Sequence, residues 1–328
     1  MGIGHWDIEA GDHVSGFNIR CKLNIQKVGP AMKFRSLVVV CCVFSCVHST
    51  EVVEGQEQAS SKSKSVRLGG VAYAPSVVTV FKNLTTYLNR KGFSSDFVLY
   101  GDHKALVTAL GNGDVDIAWM DPMSHGRYHV GYGSNSQALA MRDVDRDLRV
   151  TLLTRDGTGI ASPKDLAGRK LIVGRSGSQD GSLLPLYYFK QAGIDVSKIK
   201  LVDLKGEKDS HGKRADGTPY ILKALADGRG DAAIVLEKGW KKDATFQKAN
   251  PDIAAVWTSP EFCHCTFTAP GSFDKQLGKR FTQLMTNMDS SDPVVAELLK
   301  LENAQRFLPS DNADFKALYR VLGDAQKK

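Results

Sequence analysis

The sequence predicts an α/β protein folded as two lobes, and three observations lead there. Short apolar runs alternate with helical runs from residue 66 to residue 236. That rhythm belongs to parallel strands joined by crossover helices, which cover both faces of a sheet. The passage TALGNGDVDIAW (108–119) is echoed by KALADGRGDAAI (223–234), with Ala, Leu, Gly, Asp and Ala recurring in step. Common turn chemistry produces such echoes, and so do two lobes of like design. Lastly, the chain ends in amphipathic helical runs, which pack on a lobe already built. The expected order is a first lobe (66–155), an inserted second lobe (156–244) and a return to the first (245–328).

The elements follow in order. SVRLGGVAY reads as a strand, and SVVTVFKNLTTYLNRKG as a helix with Ser76 as N-cap and Gly92 just beyond its end. DFVLY is a strand, DHKALVTALGNG a helix, VDIAWM a strand and PMSHGRYHV a helix start. After RVTLLTRDGTG comes a short helix in SPKDLAG, with Pro163 at its first position. RKLIVG, IKLVDL and DAAIVL are strands, separated by the helices SLLPLYYFKQAG and TPYILKALADG. AAVWTSP and CTFTAP precede three terminal helices, in DKQLGKRFTQLMTNM, DPVVAELLKLEN and ADFKALYRVLGDAQ.

A hydrophobic share of 42% with 24% charged residues is that of a soluble globular protein. The net charge of +7 is scattered, without a basic stripe carrying interleaved aromatics, which argues against nucleic-acid binding. Met32, Lys33 and Arg35 stand before an apolar run from Leu37 to Val47, the design of a secretory signal and too short for a spanning helix. Residues 1–31 are then an upstream extension, 32–50 a signal peptide cleaved after Ser49, and 51–65 a polar tether. VFSC also reads as a loose lipoprotein signal centred on Cys46, so the exported protein is either free in the periplasm or membrane-anchored. Cleavage leaves two cysteines, Cys263 and Cys265. Two positions apart on a strand they sit about 7 Å from each other, at the limit for a disulfide.

The best site signal is GRSGSQDGSLLP (174–185), small residues between a strand and a helix. Free backbone N–H groups at such a helix start bind anions. Asp180 inside the turn has two readings: a cap for the helix, or a group that meets the ligand.

GDHKALVTALGNGDVDIAWMDPMSH, SPKDLAGRKLIVGRSGSQDGSLLPLYYFKQAGID and ALADGRGDAAIVLEKGW resemble the phosphate/phosphite/phosphonate substrate-binding proteins of ABC importers. The similarity covers nearly all the chain from residue 66 onward and is most specific over 162–195. It implies a type II periplasmic binding fold, each lobe a mixed sheet flanked by helices, closing about a hinge on a ligand in the interlobe cleft. Where the family usually has Ser-Thr-Ser-Gly, this chain has Ser178, Gln179, Asp180 and Gly181. Where the family commonly has tyrosine or another aromatic, it has His103 and His125, and Asp121 replaces a glycine. The resemblance therefore points His103, Asp121, Ser124, His125, Ser178, Gln179, Asp180 and Glu237 at a ligand, and Tyr73 is read beside them as an aromatic for the cleft wall. An ionised Asp180 repels a dianion by a few kcal/mol at ~4 Å. His103, His125, Asp180, His264 and Cys265 also form a donor inventory for a transition metal, which would enter as ligand since no cofactor is implied. Some relatives carry His-Cys before an apolar run, which favours His264 and Cys265 as a pair. In a straight strand Cys263, His264 and Cys265 cannot share one ion, because His264 faces the opposite side. His125 and His129, four apart, share a helix face, His125 toward the ligand and His129 outward.

No nucleophile–base pair or Walker-type lysine is evident, so the chain reads as a non-enzyme. The expected function is an extracytoplasmic binding protein for a phosphonate, phosphite or phosphate, acting as a monomer with a membrane permease. Two alternatives stand beside it: the same scaffold re-lined for a metal ion, metal chelate or cationic solute, and a periplasmic sensor module.

Overall fold

The structure, a computed structural model, describes residues 65–326 apart from 134, 211 and 213. The extension, the signal peptide and all of the tether but Ser65 lie outside the described residues. The first lobe begins with β1 (Val66–Val71), α1 (Ser76–Arg90), β2 (Ser95–Tyr100), α2 (His103–Asn112), β3 (Ile117–Met120), α3 (Pro122–Gly131) and β4 (Ser136–Arg142). The second holds β5 (Val150–Arg155), β6 (Lys170–Val173), α4 (Leu184–Gln191), β7 (Lys200–Asp203), α5 (Thr218–Ala226), β8 (Ala232–Leu236), α6 (Glu237–Lys242), α7 (Ala244–Ala249) and β9 (Ile253–Thr258). The chain then returns through β10 (Thr266–Pro270), α8 (Lys275–Thr286), α9 (Pro293–Leu301), β11 (Phe307–Pro309) and α10 (Lys316–Gln326).

One sheet runs β11-β4-β10-β3-β1-β2 and the other β7-β6-β8-β5-β9. Each is mixed, with three parallel strands (β3-β1-β2 and β8-β6-β7) beside antiparallel ones. The internal echo is a shared device. Gly113 and Gly228 both take the left-handed conformation after a helix, at φ of 78° and 76°. Asp116 then accepts from the Arg67 amide, and Asp231 from the Lys170 amide, each at 2.8 Å. The same aspartate thus ties the incoming strand to the start of its parallel neighbour in both lobes.

The lobe boundaries need correction. β5 and β9 fall within the segments expected in the first lobe, yet both pair in the second sheet, β5 between β8 and β9. The chain therefore crosses between Arg142 and Val150 and returns between Thr258 and Thr266, and Leu148 and Phe262 bridge the two crossings. A fully buried apolar run such as β5 reads alike in either sheet, because periodicity does not name the partner strand. Ser76 is also not an N-cap. Pro75 takes that position with helical φ, Ser76 begins α1, and no side chain caps it.

Leu68, Phe81, Leu88 and Phe281 fill one side of the first sheet, and Leu106, Leu110 and Tyr128 the other. Leu152, Leu171 and Phe189, then Leu222, Leu225 and Trp240, do the same for the second. The last helix does not belong to one lobe. Leu318 joins Phe315, Ala138 and Met141, while Ala317 and Val321 lie against the cluster of Leu184 and Phe189.

Candidate functional site

A cleft of about 700 Å³ lies between the two sheets, lined by the segments that follow the carboxyl ends of their parallel strands. That is where open α/β sheets collect ligand groups. The first lobe contributes His103 after β2, and Asp121, Ser124 and Arg127 after β3. The second contributes the 174–181 turn after β6, Lys205 after β7, and Arg214 and Asp216 before α5. His264, on the return crossing, completes the lining.

The 174–181 turn is held by its own hydroxyls. Gly177 sits at φ 81°, where a side chain would be strained. Ser178 Oγ accepts from the Gly181 amide at 3.1 Å and donates to the Arg175 carbonyl at 2.9 Å. A Cβ on Gly181 would overlap that hydroxyl. A single π turn (Gln179–Leu183) follows and runs into α4. Among the described residues, the bonds that close this turn use the amides of Ser178, Gly181, Ser182 and Leu183 but not those of Gln179 and Asp180. Those two N–H groups remain as donors at the cleft.

The charges divide into occupied and unoccupied groups. Asp216 is held by Arg214 at 2.9 Å and lies 3.7 Å from Arg175. Asp121 caps α3, accepting from the Ser124 amide at 2.6 Å, and lies 3.4 Å from His103. Among the described residues, Arg127, Lys205 and Asp180 make no ion pair. The unpaired balance is therefore cationic, with one carboxylate set into it.

Several expected residues are elsewhere. His125 is fully buried; its Nδ1 meets Thr268 Oγ1 at 2.8 Å and its Nε2 meets the Tyr319 hydroxyl at 2.5 Å. Burial, with a smaller push from His129, lowers its pKa to about 3. His129, expected outward, is buried too, stacked on Tyr319 and bonded to Ser136. The face of α3 that holds both histidines packs on α10, while Ser124 and Arg127 look into the cleft. Tyr73 is exposed and outside the lining. Glu237 opens α6 and pairs with Lys241 at 2.8 Å, also outside the lining. His103, Asp121, Ser124, Ser178, Gln179, Asp180 and His264 do line the cleft. Gln179 is buried; its Nε2 donates to the Cys263 carbonyl at 2.8 Å, and its Oε1 finds no partner among the described residues.

Beside the cleft, the two crossings carry a polar chain. Glu302 Oε2 accepts from Arg142 at 2.9 Å, and Arg142 holds Asp145 through two bonds at 2.6 and 3.0 Å. Asp145 Oδ1 lies 3.5 Å from His264 Nδ1, which in turn lies 3.2 Å from Cys265 Sγ. Burial alone would lower the His264 pKa, but Cys265, Asp145 and Asp180 outweigh it and hold the imidazole well above its usual value. Burial opposes the charge of Asp145 as well, and His264 and Arg142 overcome it to lower that pKa. No nucleophile–base pair is expected from sequence, yet the His264 and Cys265 pair that the resemblance favours does bring a thiol to an imidazole. Asp145 and Cys265 face the same ring nitrogen, so no relay runs through the ring as a catalytic triad requires. Cys263 is different: burial pushes its thiol up to about 11, that of an inert core group.

Sequence reasoning missed Arg127, Arg175, Lys205, Arg214 and Asp145. Two carried a signal: Arg127 lies three residues after Ser124 and so on the same helix face, and Arg175 stands inside the 174–185 turn.

Comparison with known proteins agrees with this architecture. Residues 71–315 match the family described as "ABC transporter, phosphonate, periplasmic substrate-binding protein". A probable ABC transporter phosphite-binding protein, PhnD1 of Prochlorococcus marinus (strain MIT 9301), is 23% identical over 66% of this chain and 74% of its own. The solved structure of PhnD1 from that organism in complex with methylphosphonate superposes with a TM-score of 0.53, at 19% identity, over 81% of this chain and 99% of the other. XAC2383 from Xanthomonas citri bound to ATP gives 0.58 at 17% identity, over 81% and 98%. Two lobes, two crossings and a cleft lined from both sides accompany a family match that spans most of the chain: this protein belongs to the periplasmic phosphonate substrate-binding proteins of ABC transporters.

Proposed function

We propose that this chain captures a small phosphonate-, phosphite- or phosphate-type solute in the interlobe cleft and delivers it to a membrane permease. The unpaired cations Arg127 and Lys205, one from each lobe, carry this reading. An oxyanion between them, with the Gln179 and Asp180 amides at the turn, would be attracted from both sides and would favour the closed pair of lobes. Asp180 selects within that class. Its carboxylate disfavours a bare dianion and suits a ligand whose anionic head is accompanied by a cationic group.

The chain acts by binding rather than by catalysis, as a monomer. It is exported by the 32–50 segment, either freely or through a lipid on Cys46. No helix of the described residues is long and apolar enough to cross a membrane.

The test is calorimetric titration with methylphosphonate, phosphite, phosphate and an aminoalkylphosphonate, using the native chain and Asp180→Ser. Binding of at least one of the four is expected, with the aminoalkyl compound preferred by the native chain. Asp180→Ser should improve the simple anions by tenfold or more, since about 1.4 kcal/mol suffices for that factor. No binding of any of the four, or an unchanged ranking in Asp180→Ser, would refute the reading.

A further inference from the structure

We propose that Asp145, His264 and Cys265 form a three-ligand site for a zinc-like divalent transition ion at the hinge crossings. It stands apart from the oxyanion reading, because it uses different donor atoms and needs no occupant in the cleft.

Geometry is the first argument. One donor atom from each residue lies within 4.8 Å of the others. His264 Nδ1 is 3.2 Å from Cys265 Sγ and 3.5 Å from Asp145 Oδ1. Ligands around a tetrahedral zinc, at bonds of about 2.0–2.3 Å, stand roughly 3.3–3.6 Å apart. The Nδ1–Oδ1 separation falls within that range and the Nδ1–Sγ separation just below it, while the third pair lies within 4.8 Å. The bend between His264 and the β10 start at Thr266 brings these neighbours to one side, which a straight strand forbids. Cys263 stays out of the set, buried on the other side of His264 with Ala138, Met141 and Phe315.

Support around the site is the second. The His264 amide donates to the Asp145 carbonyl at 2.8 Å, and the Leu148–Phe262 bridge lies just beyond, so the donors rest on backbone already tied together. Arg142 orients the Asp145 carboxylate, and Glu302 holds Arg142, the outer arrangement that fixes a metal ligand in place. Charge is the third. Arg142 is outnumbered by the carboxylates of Asp145 and Glu302. A divalent ion that displaces two protons, one from the Cys265 thiol and one from the His264 imidazole, leaves the cluster formally neutral. Imidazole, carboxylate and thiolate together are a borderline-to-soft set that selects such an ion over magnesium or calcium. Because His264 also borders the cleft, the fourth position is left for water or for an oxygen of a cleft ligand.

The experiment uses the full chain with Cys21, Cys41, Cys42 and Cys46 changed to serine, so that Cys263 and Cys265 are the remaining thiols. Chelator-treated protein is dialysed against Zn²⁺ and its metal content measured, and Co²⁺ is then titrated as a spectroscopic probe. One Zn²⁺ per chain is expected, together with a thiolate-to-cobalt charge-transfer band. Cys265→Ser should abolish the band and weaken Zn²⁺ at least tenfold, whereas Cys263→Ala and His103→Gln should change neither. Bound Zn²⁺ should also protect Cys265 of the unvaried thiol pair from alkylation by iodoacetamide, a readout that needs no variant to fold. Absence of stoichiometric Zn²⁺, a band that survives Cys265→Ser, or alkylation indifferent to Zn²⁺ would overturn the assignment.

Discussion

Acid should unfold this protein partly through one histidine that never meets solvent. His125 is fully buried among Thr268, Tyr319 and Phe315, and burial lowers its pKa to about 3 from an ordinary 6.5. A histidine depressed on folding leaves stability intact above its unfolded pKa. As pH falls below that value the unfolded chain gains a proton that the folded one refuses, so stability declines until the folded pKa is reached. Between pH 7.5 and 4.5 this single group should remove about 2.6 kcal/mol. Urea unfolding at the two pH values, on the native chain and on His125→Gln, isolates the effect. The variant should begin less stable at pH 7.5, having lost the ring contact with Phe315, but should lose about 2.6 kcal/mol less on acidification. Carboxylates such as Asp145 contribute to both proteins and cancel, as does His129 to first order. Equal losses in the two proteins, or an NMR titration of the His125 ring near 6.5, would refute the reasoning.

Other consequences are as direct. Arg142→Met should cost about 3–5 kcal/mol in urea unfolding, because it strands the buried carboxylates of Asp145 and Glu302; a loss below about 1 kcal/mol would show that the pair accommodates the change. Gly177→Ala should cost about 1 kcal/mol or more, since φ there is 81°, and should weaken ligand capture as the turn reshapes; unchanged stability and affinity would mean the turn relaxes freely. Leu318→Ala, on a side chain only 1% exposed, should lose roughly 2–5 kcal/mol, read as a lower urea midpoint.

The parallel heart of each lobe was legible because strand, helix and left-handed glycine recur in a fixed order there. Asp116 and Asp231 were legible as an echo, though their common task, capping the neighbouring strand, shows only in the fold. β4 and β11 went unread: β4 (SQALAMR) has no β-branched or aromatic residue to mark a strand, and β11 is a short edge strand ending in Pro309, as edge strands tolerate. In the site, the glycines of 174–181 marked the turn, since few structures require so many small residues together. Lys205 and Arg214 of the lining had no such mark, because a lone cation reads as solvated surface until another lobe faces it. Asp145 was hidden for a similar reason, inside the charge-rich stretch RDVDRD. His125 was misplaced because the resemblance supplied a position without a direction; which side of α3 it occupies is set by α10, far away in the sequence.

The seating of α10 on both cores has a mechanical consequence. A clamshell that parts must drag this helix, and either Ala317 and Val321 slip from their seat or Phe315 and Leu318 do. The C-terminal segment therefore works as a strut across the jaws, limiting their gape and setting how much force a transporter must apply to prise out the cargo. A fluorophore or tag hung on the carboxyl end would load that strut directly, so labels that report jaw motion belong elsewhere on the molecule.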